Sequence, residues 1–303
     1  MLVSEYSHEW LSNLSLMGAV EPSTVRDYRN NLNAWHALAD REVGDVTRRD
    51  VESAMMRRLS EGRSPSTVKK RLVTLRRMLR DAVDYGDIPS DPTIGVRNPK
   101  LRRTQKNYLP PDERGRLKAK IAESNSQVLV ASAIALYAGL REAEVCGLRV
   151  EDVDLEAGVG WVRRAVGRSA EGTYEKSSKS GRERDFPIPG PLSDTLCRWV
   201  DSHEIRGGTY LLTGTDRWCD PTVLGRKWSQ LCEVEGYRGI LGKPPTFHDL
   251  RHTYATVAIA AGVDVKTVSS VLGHASAAMT LDVYAVADPV AKRMSAEVMA
   301  GAI

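Results

Sequence analysis

Arginine, histidine and tyrosine side chains recur in four short stretches of the second half of the chain. Arginine offers a planar fork of N–H donors to anionic oxygens, histidine exchanges protons near neutral pH, and an ionised tyrosine is a nucleophile. Gathered in one place, these groups suit acid–base and nucleophilic chemistry on a phosphate. In chain order the stretches are A-G-L-R-E-A-E-V-C-G-L (138–148), H-D-L-R-H-T-Y-A-T (248–256), V-L-G-H (271–274) and T-L-D-V-Y-A (280–285).

Taken one at a time, three of the stretches have ordinary structural explanations. Arg141 and Glu144 share one face of a helical turn, a spacing at which surface ion pairs of small value are common. His274 follows a glycine-terminated helix, where the helix dipole favours histidine. Tyr284 lies ten residues further on, and a lone tyrosine in a chain with ten of them is normally a packing residue.

The H-D-L-R-H stretch is predicted to be helical. His248 and Arg251 are three residues apart and therefore share one helix face. On the same helix, Leu250, Tyr254 and Val257 are expected to face the core.

A metal site is the competing interpretation of this stretch. His248 and His252 have the i, i+4 spacing of a zinc-binding helix, but Asp249 stands where that motif has glutamate. The cysteines form no C-x-x-C pair, which argues against structural zinc and a disulfide framework and suits a reducing cytosol. They are Cys146, Cys197, Cys219 and Cys232.

Together the four stretches resemble the tyrosine recombinase family, the phage integrases and related site-specific recombinases. That family shows an arginine in A/T-G-L/M-R-x-x-E, then H-x-L-R-H, then L-G-H, then a tyrosine near the C-terminus. All four patterns occur here in that order. K-S-G-R-E-R-D-F-P (179–187) also resembles the family's β-hairpin lysine pattern, with Lys179 five positions before Arg184 and Lys176 as the alternative.

The resemblance implies that the protein cleaves and rejoins DNA through a 3′-phosphotyrosyl bond to Tyr284. It implies that Arg141 and Arg251 bind the non-bridging phosphate oxygens and offset the charge that grows at phosphorus. The resemblance also implies that His248 is the general base and that His274 donates a hydrogen bond to the phosphate. It implies that Lys179 is the general acid towards the 5′ oxygen and that Glu144 supports Arg141.

No cofactor is expected, because the covalent link retains the energy of the phosphodiester and the sequence has no Walker-type glycine loop or carboxylate cluster. Two other interpretations stay open: a type IB topoisomerase, which uses the same tyrosine chemistry on one duplex, and a DNA-binding regulator that has lost catalysis. The short chain and small N-terminal domain favour recombination. The presence of all the family's groups disfavours the regulator.

The sequence predicts that these residues are positioned by a mainly α fold with a small β-sheet. At 303 residues the chain is long enough for two domains. We expect a helical core-DNA-binding domain, a basic linker and an α/β catalytic domain of the tyrosine recombinase type, with a docking tail from about residue 288. Their predicted ranges are 1–96, 97–108 and 109–303.

Apolar spacing and turn residues predict the individual elements. Ser23 or Ser66 is a candidate helix cap, residues 45–50 form a plausible helix start, and the stretch after Tyr85 is expected to be extended. Strands are predicted at 158–166 and 184–188, separated by a loop. Helices are predicted at 5–17, 24–38, 48–59, 67–83, 111–122, 127–138, 220–235, 248–261 and 265–272.

Basic residues are concentrated in two regions, although the net charge is only +4 with a pI near 8.8. An apolar stripe in the fourth predicted helix (Val68, Leu72, Leu75, Leu79 and Ala82) is explained by packing alone, whereas the clustered cations beside it favour a polyanionic partner. The candidate DNA contacts are Lys69, Lys70, Arg71, Arg76, Arg77, Arg80, Lys100, Arg102, Arg103 and Lys106.

By resemblance, the expected partners are duplex DNA at core-type attachment sites and a homotetramer of the chain, with an accessory protein that bends DNA or sets direction. In the tail, Val290, Met294 and Val298 are spaced by four, as docking on a neighbour needs. The core-binding pattern starts near residue 1, so no separate arm-binding domain is expected. A phage or mobile element is the preferred origin.

The sequence predicts a protein of the bacterial cytoplasm or nucleoid with no membrane partner. No run of 18 or more apolar residues occurs, which argues against a membrane span. The N-terminus M-L-V-S-E-Y-S-H-E-W lacks the basic start and apolar core of a secretory signal.

Overall fold

The structure is a computed structural model that describes residues 1–101, 105–177, 183–274, 276 and 299–300. Among the sequence predictions, Arg102, Arg103, Lys179, Tyr284 and the tail from residue 288 lie outside the described residues. The chain divides into two units, Met1–Arg103 with Arg168–Thr173, and Thr104–Gly167 with Tyr174–Ile303. Both units are mainly helical and the described strands all lie between residues 153 and 187, so the predicted mainly α fold with a small β-sheet is confirmed.

The first unit is built from helices whose starts are set by proline and capping residues. Thr47 caps α3 by accepting from the N–H of Asp50, as the start at 45–50 predicts. The predicted caps Ser23 and Ser66 are wrong, because each helix starts two residues earlier than predicted, at a first-turn proline, and Ser64 caps α4. The helices are α1 (Val3–Leu16), α2 (Pro22–Leu32), α3 (Arg48–Ser60) and α4 (Pro65–Asp84).

Helix α4 carries the core of this unit. Each residue of its predicted apolar stripe is at most 1% exposed. The buried amide of Asn31 donates to the hydroxyl of Thr74 at 2.9 Å, which satisfies two polar groups where α2 meets α4.

The stretch after Tyr85 is not the extended linker that its prolines and glycines predict. Ile88 and Val96 are 4% and 5% exposed and pack into the core of the first unit. The guanidinium of Arg76 donates to the carbonyl of Val96 and, at 2.7 Å, to Oδ1 of Asn98. Two apolar anchors within the turn residues therefore keep this stretch folded back.

The second unit places two small sheets among its helices. Strands β1, β2 and β5 form an antiparallel sheet in which Val162 is paired with Arg184, and β3 pairs with β4, a strand that the predicted loop omits. The strands are β1 (Val153–Asp154), β2 (Val159–Val162), β3 (Arg164–Arg168), β4 (Thr173–Ser177) and β5 (Arg184–Pro187). The helices are α5 (Pro111–Glu123), α6 (Gln127–Ala138), α7 (Glu142–Gly147), α8 (Gly190–Ser202), α9 (Pro221–Glu235), α10 (Phe247–Ala260) and α11 (Val265–Leu272).

Helix α6 runs through the middle of this unit, buried on nearly every side. It ends at Gly139, which has φ +68°, a conformation that favours glycine. A Cβ there would lie 2.7 Å from Tyr254 and 2.8 Å from Leu272. The glycine therefore lets α10 and α11 approach the end of α6, where Arg141 follows. In the described part of the chain, no helix is both long and apolar enough to cross a bilayer.

Candidate active site

Arg141 is held at the start of α7 by a short-range pair with Glu144. Nη1 of Arg141 donates to Oε1 of Glu144 at 2.7 Å, and the Arg141 backbone N–H donates to Oε2 at 2.8 Å. The Arg141 side chain is 38% exposed, whereas that of Glu144 is 8% exposed. The pair is thus anchored in the protein at its acidic end and open to solvent at its basic end.

Arg251 extends from α10 and is only 3% exposed. Its Nη1 donates to the carbonyl of Gly139 at 2.8 Å, and its Nη2 donates to the carbonyl of Leu272 at 2.6 Å. These bonds tie α10 to the ends of α6 and α11. Because Arg251 is so deeply covered, an anion reaches its guanidinium only if the covering groups move.

Three arginines bind three consecutive carbonyls at the end of α11. Arg184 Nε donates to Val271 at 3.1 Å, Arg251 Nη2 to Leu272 at 2.6 Å, and Arg141 Nη2 to Gly273 at 3.2 Å. The last carbonyls of a helix have no partner within it and form its negative end, so cations are favoured there.

The C-terminus of α11 also fixes His274. Gly273 ends the helix with φ +61°, and the backbone N–H of His274 donates back to the carbonyl of Ser269 at 3.0 Å. The predicted position of His274, just past a glycine-terminated helix, is therefore confirmed. Sequence segments more than a hundred residues apart meet at this turn.

Arg184 also belongs to this cluster, a role that the sequence did not predict. Its Nη1 and Nη2 donate to the two carboxylate oxygens of Glu144 at 2.9 and 2.6 Å, so Glu144 binds two guanidiniums. The only sequence signal was the arginine of the R-x-x-P pattern that follows the predicted hairpin lysine. Pairing across forty residues leaves no periodic signal.

The carboxylate of Glu144 is strongly held in its charged form. Burial alone would raise its pKa, but the hydrogen bonds and charge of Arg184, together with Arg141, outweigh burial and lower the pKa to about 2. A surface ion pair, the ordinary explanation of this spacing, is therefore wrong for Glu144.

The histidines near the cluster favour the neutral form. Burial and the charges of Arg251 and Arg141 lower the pKa of His274 to about 4. Loss of solvation and the charge of Arg251 also lower the pKa of His248. His252 lies edge-on to His248, with ring centroids 4.7 Å apart, and burial next to that ring lowers its pKa to about 4.

The structure of helix α10 contradicts the core prediction for Val257 and explains the role of Asp249. Leu250 is fully buried and Tyr254 is partly buried, but Val257 is 37% exposed, so its predicted place in the core is wrong. It lies in the last turn of α10, near the end of the packed face. Asp249, in the place of the zinc motif's glutamate, accepts from the N–H of Thr246 at 2.7 Å and caps its own helix.

Among the described residues, no group of three or more histidine, cysteine, aspartate or glutamate side chains is arranged to hold a metal ion.

The alternative hairpin lysine, Lys176, lies in β4 and is half-buried. Since Lys179 and Tyr284 lie outside the described residues, their roles stay predictions.

The predicted DNA contacts of α4 fall into two groups. Lys70, Arg77 and Arg80 are exposed, and Lys69, Arg71 and Arg76 are half-buried. Arg77 donates to the hydroxyl of Tyr28 at 2.7 Å, and Lys70 to Asp27 at 3.3 Å. Arg76 is engaged with Val96 inside the unit, as described above. Lys100 and Lys106 are exposed.

Comparison with known proteins identifies the family. Residues 107–289 match the phage integrase family, and residues 8–86 match the phage integrase N-terminal SAM-like domain. The first match alone spans more than half of the chain. The chain therefore belongs to the phage integrase family of tyrosine recombinases, and it is an enzyme of that type.

Curated relatives are similar in sequence to nearly the whole chain. A tyrosine recombinase XerC of Thermodesulfovibrio yellowstonii is 25% identical over 286 residues, which cover 91% of this chain and 89% of the relative. A tyrosine recombinase XerC of Yersinia pestis is 26% identical over 307 residues, 94% of each.

Solved structures establish the fold. The Tn1549 transposon integrase in complex with transposon right end DNA has a TM-score of 0.78 at 21% identity, covering 99% of this chain and 100% of that chain. A lambda integrase tetramer bound to a Holliday junction has a TM-score of 0.69 at 22% identity, covering 90% and 76%.

Proposed function

We propose that this recombinase cleaves and rejoins DNA at specific sites through a 3′-phosphotyrosyl bond to Tyr284, in the integration or excision of a phage or other mobile element. The observation that carries the proposal is the meeting of Arg141, Arg251 and His274 at the end of α11, with His248 on the neighbouring helix turn. The resemblance implies that Arg141, Arg251 and His274 contact the phosphate and that His248 acts as the general base.

The arrangement of charges suits a pentacoordinate phosphate. The guanidiniums of Arg141, Arg184 and Arg251 lie around one turn, and the single carboxylate of Glu144 balances only part of their charge. Net positive charge is therefore left where negative charge develops during the reaction. Arg141 offers the exposed guanidinium. Arg251 becomes a second donor once the groups that bury its guanidinium move away. Removing Arg141 is expected to lower the cleavage rate by about 100- to 1,000-fold while DNA binding persists.

The protonation states of the histidines support their proposed roles. A general base must be unprotonated to accept the tyrosine proton, and the lowered pKa of His248 keeps its imidazole neutral at neutral pH. A neutral His274 still carries one N–H to donate to a phosphate oxygen. Lys179 is proposed as the general acid for the 5′ oxygen.

We further propose the division of labour that the sequence predicts. Residues 1–96 bind core-type DNA sites, 97–108 link the domains, and 109–303 carry the chemistry, with the tail from about 288 docking on a neighbour. Exposed cations support DNA contact by Lys70, Arg77 and Arg80. The lambda integrase tetramer on a Holliday junction supports a homotetramer on DNA as the active assembly. An accessory protein that sets direction is part of the same proposal.

Covalent capture tests the proposal without a known target sequence. The full chain is incubated with a pool of nicked duplexes with randomised cores, so that cleavage releases a short fragment and traps the enzyme on DNA. Adducts that resist denaturing detergent are collected and sequenced. The expected result is a defined sequence with symmetric protein sites, and loss of all capture in Tyr284→Phe.

The outcomes separate the competing functions. Recombinant joints between two captured duplexes support the recombinase, whereas relaxation of supercoils without joints supports a topoisomerase. Binding without any adduct supports a silent regulator. Adducts that persist in Tyr284→Phe would refute the assigned nucleophile.

A further inference from the structure

Arg184 joins three parts of the active-site scaffold. It starts on β5, clamps both oxygens of Glu144 at 2.9 and 2.6 Å, and donates from Nε to the carbonyl of Val271 at 3.1 Å. Its side chain is 18% exposed, and that of Glu144 is 8% exposed. A bidentate guanidinium–carboxylate pair of this burial fixes orientation as well as charge.

The same side chain also packs on the turn that carries His274. A Cβ at Gly273 would lie 2.9 Å from both Cδ and Nε of Arg184. The glycine is thus required twice, for its φ of +61° and for the space that Arg184 occupies. The position of His274 is consequently coupled to that of Arg184.

We propose that Arg184 is a positioning residue for strand cleavage, acting on Arg141 through Glu144 and on His274 through the Val271–Gly273 turn. The inference rests on the proposed function. Glu144 shares its single negative charge between Arg141 and Arg184. The positive charge of Arg141 is therefore only partly compensated and can attract a phosphate. Without Arg184, Glu144 pairs with Arg141 alone and draws that guanidinium towards the interior.

The test compares Arg184→Gln and Arg184→Lys with the wild-type full chain on the duplex that the wild type captures. Single-turnover cleavage should slow by about 10- to 100-fold in Arg184→Gln, because a shift of about 1 Å at a positioning group costs up to 100-fold. The DNA dissociation constant should not change. Arg184→Lys should recover part of the rate, since it keeps the charge but loses the fork.

A matched control separates positioning from general stability. Arg164 also binds a buried carboxylate of the second unit, that of Asp152, and its side chain is 17% exposed. Arg164→Gln should lower the melting temperature as much as Arg184→Gln does, with no change in cleavage rate below the melting range.

A pH profile adds a readout that a purely structural role would not move. Arg184 is the main group that lowers the pKa of Glu144, so that pKa should rise in Arg184→Gln. Cleavage by this variant should then fall further as the solution is acidified, relative to wild type at the same pH.

Three outcomes overturn the inference. Wild-type cleavage by Arg184→Gln refutes it, and so does an equal loss of cleavage in Arg164→Gln. If the wild-type chain captures no duplex at all, the proposed function fails and the positioning role falls with it. Capture by the wild type with slow cleavage by Arg184→Gln alone supports both.

Discussion

Replacing Glu144 with glutamine should destabilise the second unit in a way that depends on pH. The side chain is 8% exposed and accepts hydrogen bonds from Arg141 and Arg184. Glutamine keeps the shape but removes the charge that both guanidiniums face. Breaking a buried ion pair by removing one partner generally costs about 3–5 kcal/mol.

The lowered pKa gives an independent magnitude. A fall from the ordinary 4.5 to about 2 in the folded state favours the charged carboxylate by about 3 kcal/mol at neutral pH. Because the folded pKa lies below the unfolded one, this stability is complete above about pH 4.5. It is lost as the pH falls through the folded value, near 2. The stability gap between wild type and Glu144→Gln should therefore narrow by about 2 kcal/mol between pH 6 and pH 3.

The assay is urea unfolding of the full chain at several pH values, with peptide-resolved hydrogen exchange to follow the second unit by itself. A chain with two units need not unfold in one step, so a single optical signal would mix their transitions. Glu233→Gln is the matched control: its partner Arg238 is 3.8 Å away, and both side chains are exposed. Surface pairs of this kind contribute about 0–1 kcal/mol.

Two results would contradict the reasoning. One is a Glu144→Gln variant as stable as wild type at neutral pH, which would mean that the carboxylate charge is not needed. The other is a stability gap that stays constant down to pH 3, which would mean that the pKa of Glu144 is not depressed.

Three further predictions rest on single observations. Ring NMR signals of His252 and His274 should titrate with midpoints near 4, and midpoints near the ordinary 6.5 would show that burial and the arginines do not depress the pKa values. Cys197 is exposed, so a thiol reagent should modify it first, while Cys232, whose pKa burial raises to about 12, should react only on unfolding. Arg80→Gln should reduce the salt dependence of DNA binding by about one counterion, and an unchanged slope would remove Arg80 from the DNA contacts.

Local pattern predicted most of the helices, although the helix predicted at 24–38 ends at Leu32 and β4 was not predicted. The apolar stripe of α4 predicts which residues are buried, because the helical period places them on one face whichever element packs against it. The motif glycines were equally readable. Gly139 and Gly273 both adopt positive φ at helix ends, a position that the sequence indicates because a glycine directly follows the last residue of each predicted helix.

Pairings between distant segments were not readable. Nothing in the spacing of Arg184 and Glu144 indicates that a strand and a helix N-terminus meet there. The exposure of Val257 and the buried anchors Ile88 and Val96 likewise depend on which neighbours the chain brings to them. Local turn chemistry competes with such long-range packing, and here packing prevailed.

The cluster at α11 shows why the family's short motifs are dispersed. A helix C-terminus provides three outward carbonyls within one turn, and each accepts from an arginine of a different segment: β5, α10 and the start of α7. Each arginine thus fixes its own segment to the turn that ends in His274. Such a site assembles only when the second unit is folded, because no two of the three arginines are close in sequence. A change in any one of them should therefore disturb the geometry of the other two as well as remove its own charge.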